Sequence, residues 1–98
     1  MSVFRVSKAA VADLEDIGRY TQKTWGAKQR RAYLDGLNEQ FKALSQTPLI
    51  AAERRDFEPP VRIYHHESHL IVYAIDDVDI FILRVLRDRM DVPAQLSP

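Results

Sequence analysis

The apolar positions change period twice along the chain. Val3-Phe4-Arg5-Val6 reads as a short extended segment, and from about Lys8 to Trp25 the residues Ala10, Leu14, Ile17 and Thr21 keep helical spacing. Val11 and Trp25 widen that stripe. The same three- and four-residue steps return in Tyr33, Leu34, Leu37, Phe41 and Leu44, which predicts a second amphipathic helix from about Ala27 to Gln46. Beyond Pro60 the period drops to two. Val61-Arg62-Ile63-Tyr64-His65 alternates, His69 through Ile75 is nearly continuously apolar as a central strand is, and Asp79 through Leu86 predicts a last strand.

The boundaries carry their own chemistry. Ser7 is placed to cap the first helix by accepting a hydrogen bond from an orphan amide of its first turn. Asp13, Glu15 and Asp16 lie toward the start and Arg19 and Lys23 near the end, an order that favours the macrodipole. Gly26 supplies the left-handed position that commonly ends a helix, and Thr47-Pro48 stops the next one. A single glycine between two amphipathic helices implies an antiparallel hairpin with facing apolar stripes. Glu67-Ser68 and Asp76-Asp77-Val78-Asp79 are short enough for β-hairpin turns, and residues 49–60 read as a polar connection. The expected architecture is therefore α+β, in the order β-α-α-β-β-β, with a mainly antiparallel sheet packed against an antiparallel helical hairpin. Residues 1–98 are expected to form one domain, with 92–98 as a loose tail or a short helical turn.

Composition narrows the function classes. An apolar content of 46% with 29% charged residues is ordinary for a globular chain and argues against disorder. With no cysteine, disulfides and thiolate metal sites are unavailable. No apolar run approaches a membrane span and no signal-peptide pattern opens the chain, so a cytoplasmic location is expected. Fourteen basic and fourteen acidic residues cancel, which argues against a general electrostatic nucleic-acid binder.

The distribution of charge is less even than its sum. From Gly18 to Leu34 the chain carries Arg19, Lys23, Lys28, Arg30 and Arg31 with no acid among them. Lys28, Arg30 and Arg31 crowd the positive end of the second helix dipole, at a cost of about a few tenths of a kcal/mol each, and such local conflicts tend to mark functional surfaces. Three arginines, Arg84, Arg87 and Arg89, follow the last apolar strand Ile80-Phe81-Ile82-Leu83 within six residues. Strict alternation would place Arg84 opposite Leu83 and Val85, with Arg87 and Arg89 projecting together just beyond. Guanidinium forks at a strand end suit carboxylates and phosphates.

Taken in order, the Ala12-Asp13-Leu14-Glu15-Asp16-Ile17 helix, Tyr20, Trp25-Gly26, Leu44 with Pro48, His69-Leu70-Ile71-Val72-Tyr73 and the Arg84-Val85-Leu86 to Arg89-Met90-Asp91 ending resemble the ParE branch of the RelE/ParE toxins. The resemblance covers nearly the whole chain. It implies the toxic half of a bacterial type II toxin-antitoxin module, with a β-α-α-β-β-β fold, neutralised by a ParD-like antitoxin and inhibiting DNA gyrase when free. It brings no catalytic residues and no cofactor. Arg87 stands where ParE-like chains usually carry histidine after the Val-Leu pair.

The competing class is a RelE-like ribosome-dependent mRNA endoribonuclease on the same scaffold. Such chemistry needs a base, an acid and cations around one groove, for which Tyr64, His65, His66 and His69 with Arg62, Arg84 and Arg87 are available. Tyr64 and His66 share one strand face and His65 takes the other, so the histidines are not expected to converge. The tail also lacks a Tyr, His or Lys to complete such a site. A metal site is not expected, and the histidines read as a solvated cluster near a turn. Tyr20, Trp25, Tyr33 and Phe41 follow the helical stripes and read as hairpin core and rim.

For the antitoxin, an amphipathic helix laid beside the hairpin with an extended acidic segment fits the charge pattern. The expected contacts are Trp25 and Tyr33 for apolar surface and Arg30, Arg31, Arg84, Arg87 and Arg89 for charge. Arg87, Arg89 and Met90 are the residues expected to engage gyrase, since they combine cation density with one adaptable apolar side chain.

Overall fold

The computed structural model describes residues 3–89 and 92–96. Strand β1 (Phe4–Val6) leads into helices α1 (Lys8–Trp25) and α2 (Ala27–Gln46); β2 (Glu53–Arg54), β3 (Val61–His66), β4 (His69–Asp76), β5 (Asp79–Arg87) and the short helix α3 (Val92–Leu96) follow. The strands form one sheet in the order β1-β5-β4-β3-β2. Among the described residues only the β1–β5 pairing is parallel.

Local chemistry sets the helix ends where the sequence places them. Ser7 Oγ accepts from the Ala10 amide at 3.0 Å and donates to the Leu83 carbonyl at 2.7 Å, so one hydroxyl caps α1 and pins it to β5. Gly26 takes φ 96°, a conformation that side chains rarely adopt, and turns the chain from α1 into α2. The hairpin closes tightly beside Gly18. A Cβ there would lie 2.9 Å from Arg30 Nε, and Arg30 Nη1 reaches on to Gln22 Oε1 at 2.7 Å.

Burial narrows the predicted α1 stripe. Ala10, Ile17, Gly18 and Thr21 are buried, whereas Val11 and Trp25 face solvent, Trp25 with 71% of its surface exposed. From α2 the buried residues are Leu37, Phe41, Leu44 and Ser45. Leu37 and Phe41 pack with Ile71, Tyr73, Ile80, Ile82 and Val85 in the main core between helices and sheet. Phe4 meets Phe41 edge-on with ring centroids 5.5 Å apart. The far face of the sheet has a smaller core of Val61, Val72 and Leu86, covered by Phe57, Val92 and Leu96.

Residues 49–60 are not merely a polar connection. They contain β2, paired with β3, and are tied down by Tyr73 Oη donating to the Pro48 carbonyl at 2.8 Å and Arg62 Nη1 donating to the Ala51 carbonyl at 2.5 Å. Towards the carboxy-terminal end residues 92–96 form helix α3, while Met90 lies outside the described residues.

One irregularity changes the faces of β5. Val72 pairs with Arg84 while Tyr73 pairs with Ile82, so Leu83 is an extra residue in the ladder. Leu83 packs in the far-face core and Val85 in the main core. Strict alternation put them on one face; the bulge shifts the phase by one residue and separates them.

Candidate functional site

The bulge also determines what stands next to α1. Beyond Val6, strand β1 has left the sheet, so among the described residues the last part of β5 has no strand neighbour on that side. Asp13, on the sheet-facing side of α1, takes the vacant place. Its Oδ2 accepts from the Val85 amide at 2.9 Å and from Arg84 Nε at 2.8 Å, and its Oδ1 accepts from Arg84 Nη2 at 2.9 Å. This is a bidentate carboxylate–guanidinium pair with side chains only 13% and 24% exposed. Arg84 Nη1 also donates to the Gln95 carbonyl at 3.1 Å, which ties α3 to the same node. The Asp13 hydrogen bond raises the Arg84 pKa further.

Beside this node opens a cleft of about 440 Å³. Helix α1 lines it with Asp13, Asp16, Ile17 and Tyr20, the β3–β4 turn with Ser68 and His69, and the end of β5 with Val85, Arg87, Asp88 and Arg89. The Arg87 guanidinium lies over the Tyr20 ring, 4.4 Å from its centroid. Two of the cleft carboxylates have cations of their own, Asp13 with Arg84 and Asp16 with Arg19, while Asp88 lies 3.5 Å from His65 Nε2. Among the described residues no carboxylate pairs with Arg87 or Arg89.

The cleft's inner wall holds a buried polar contact. Tyr33 of α2 and His69 of β4 meet at 2.5 Å between Oη and Nδ1, and His66, paired across from His69, sets its ring edge against Tyr33 with centroids 6.2 Å apart. Burial, assisted by the Arg87 charge, lowers the His69 pKa, and burial raises that of Tyr33. Burial thus favours the neutral form of both groups, and one hydrogen bond between Oη and Nδ1 joins them.

A pH window follows. The depressed His69 pKa contributes stability that is complete above about 6.5 and is lost as pH falls toward the folded-state value. The raised Tyr33 pKa, like that of Tyr73 where burial again dominates, contributes stability that is complete below about 10 and is lost as pH rises. Urea midpoints should therefore be flat between these limits and fall on both sides. In H69Q the decline between pH 6.5 and 5 should shrink; an unchanged slope would assign it elsewhere.

The model of the ParE toxin of the type II toxin-antitoxin system parDE matches residues 4–92. This chain belongs to that ParE toxin family. It is 29% identical over 97 residues to Toxin ParE1 of Caulobacter vibrioides, covering 99% of this chain and all of that one. It is 32% identical over 96 residues to Toxin ParE1 of Mycobacterium tuberculosis, covering 97% and 98% of the two chains. Among solved structures, the chromosomal ParDE toxin-antitoxin system from P. aeruginosa contains a chain that superposes with a TM-score of 0.74 at 27% identity, covering 89% of this chain and 95% of that one.

The fold of this ParE-family toxin brings some of the residues singled out in its sequence together and disperses others. Arg87 and Arg89 share the cleft. Arg84 does not join them, because its fork is filled by Asp13 and Gln95. Arg30 lies over Gly18 on the hairpin, half-buried, while Arg31 is exposed. Trp25 and Tyr20 are surface residues rather than hairpin core; Tyr33 and Phe41 do pack inward.

The histidines also divide. His69 is buried at 8% exposure rather than solvated, and His66 joins it at Tyr33, whereas His65 projects alone on the opposite face as alternation requires. Asp13 is the important residue that sequence reasoning missed. Its carboxylate looked like a favourable dipole charge, and its only signal was a position one helical turn before Ile17 on the buried side. No helix among the described residues is long and apolar enough to cross a membrane.

Proposed function

We propose that this ParE-family toxin acts in the cytoplasm by binding DNA gyrase rather than by turning over a substrate, and that a ParD-like antitoxin holds it inactive. The observation that carries this reading is the pair Arg87 and Arg89, exposed at the end of β5 without carboxylate partners among the described residues. Arg87 is the last residue of β5 and Arg89 stands in the turn just beyond it, and their guanidinium forks offer several donors to an acidic protein surface. Met90 completes the target contact as proposed from the sequence. Family membership supports the toxin role, and the ParDE system of P. aeruginosa supports an antitoxin partner.

Binding rather than catalysis is also supported by the inner wall. Tyr33 and His69 satisfy each other, and burial favours their neutral forms. For the antitoxin we propose Trp25, Tyr33, Arg31 and the cleft arginines as contacts. Arg30 and Arg84 serve the toxin's own packing and contribute less.

The deciding experiment adds purified toxin to a gyrase supercoiling reaction and, in parallel, to a translation reaction with messenger RNA. Supercoiling should be lost while the message stays intact. With Arg87, Arg89 and Met90 all replaced by alanine, in a protein still folded by circular dichroism, inhibition should weaken by about tenfold or more, as expected for hot-spot arginines. Full inhibition by that variant would reject the site, and codon-phased RNA cuts would select the nuclease.

A further inference from the structure

Among the described residues three arginines carry the guanidinium over an aromatic ring: Arg5 over Phe81, Arg54 over Phe57 and Arg87 over Tyr20. Arg5 also pairs with Asp76 and Arg54 with Asp56, so their stacking belongs to completed surface ion pairs. Arg87 is the exception. It stacks 4.4 Å from the Tyr20 ring centroid with no carboxylate partner among the described residues. Its charge is held in place and left unfilled.

The ring comes from α1 and the arginine from β5. Tyr20 stands one helical turn beyond Asp16 and Ile17 on the cleft side of α1, while Arg87 follows Val85 by two residues and shares its face of the strand. The Tyr20 side of this contact uses only the ring face. Tyr20 is 52% exposed, and its hydroxyl makes no hydrogen bond among the described residues. Arg89, in the turn just beyond, has neither ring nor carboxylate among those residues.

We infer that Tyr20 is the positioning residue of the target-binding site: its ring holds the Arg87 guanidinium in one orientation, with the donor edge turned to a planar acceptor of the target protein. Guanidinium donors lie in the plane of the group, so stacking on one face leaves the N–H edges free. Without a platform, an exposed arginine spreads over many rotamers, and fixing one of them on binding lowers affinity. Stacked on Tyr20 it is already fixed. A phenyl face serves in the same way, whereas a saturated side chain of similar size has no quadrupole to hold the cation. The inference rests on the reading of Arg87 as a target contact and adds the residue that aims it.

The test is a double-mutant cycle on the intact chain. Wild type, Y20L, Y20F, R87Q and Y20L/R87Q are expressed from a titratable promoter without antitoxin, and the intracellular toxin level that halves growth is measured. Circular dichroism and urea midpoints of the purified variants establish that the fold is kept. Y20L should need roughly two- to tenfold more protein, the equivalent of ordering one rotamer-rich side chain on binding. Y20F should restore wild-type potency, because it keeps the ring face and removes only the hydroxyl. In the R87Q background Y20L should lose nothing further. By nitrogen-15 NMR the Arg87 Nε–H proton, lying over the ring, should appear upfield of that of Arg89 in wild type and Y20F, and lose that displacement in Y20L.

Wild-type potency in Y20L, with R87Q impaired, overturns the inference and leaves Arg87 as a target contact. Wild-type potency in R87Q removes the Arg87 reading and the inference with it. A Y20L loss that persists in full in the R87Q background also overturns it, since Tyr20 would then act on the target or on the fold without Arg87.

Discussion

Replacing Asp13 by alanine should destabilise the protein by about 3 kcal/mol, the lower part of the range for removing one member of a buried ion pair. Three hydrogen bonds of 2.8–2.9 Å are lost at once. More costly than their loss is what remains: a guanidinium only 24% exposed, facing no carboxylate, and a Val85 amide at a strand edge without an acceptor. Arg84 is also one of the ties to α3, so the cap over Val72 and Leu86 should loosen. In a domain of this size the melting midpoint should fall by roughly 12–24 °C. D13N keeps an acceptor for the Val85 amide and should retain part of the loss. A D13A midpoint within a few degrees of the wild type would show that the pair is solvent-compensated and that the β5 edge stands without it.

Phe41→Ala should cost about 3–5 kcal/mol, the range for emptying an aromatic site in a packed core. Phe41 is 2% exposed, lies against Phe4 and belongs to the cluster that joins α2 to the sheet. The total stability of a chain this long is about 5–15 kcal/mol, so the variant should be marginal at physiological temperature. Trp25→Ala is the informative contrast. A side chain 71% exposed has little packing to lose, and the change should stay within about 0.5 kcal/mol. Urea unfolding of both variants tests this directly. A Trp25 variant as damaged as the Phe41 variant would return Trp25 to the core and remove it from the surface proposed for the antitoxin.

Legibility followed the range of the interactions. Helix ends depend on a few adjacent residues, and Ser7, Gly26 and Thr47-Pro48 mark boundaries that the structure reproduces at Lys8–Trp25 and Ala27–Gln46. The β3–β4 turn at Glu67-Ser68 is local in the same way. Amphipathic width was less legible. Val11 and Trp25 match the helical period, but which edge of a stripe is buried depends on what packs against it, and the sheet and the neighbouring helix leave these two positions of α1 exposed. Strand β2 escaped notice because Glu53-Arg54 carries no apolar signal; it pairs only because β3 is there to receive it.

The candidate site was half legible. Arg87 and Arg89 stand out as cations after an apolar strand, and the fold leaves them exposed. Arg84 looked equivalent and is not, because Asp13, 71 residues away in sequence, claims it.

By itself the sequence determined the order of every long element, the hairpin of helices, the family and the cationic strand end, since periodicity, capping residues and charge are properties of neighbouring positions. Tertiary structure alone decided the phase of β5, the partner of each arginine and the existence of the cleft. Those depend on an extra residue at Leu83 and on a carboxylate delivered from α1, contacts between segments that no local pattern encodes.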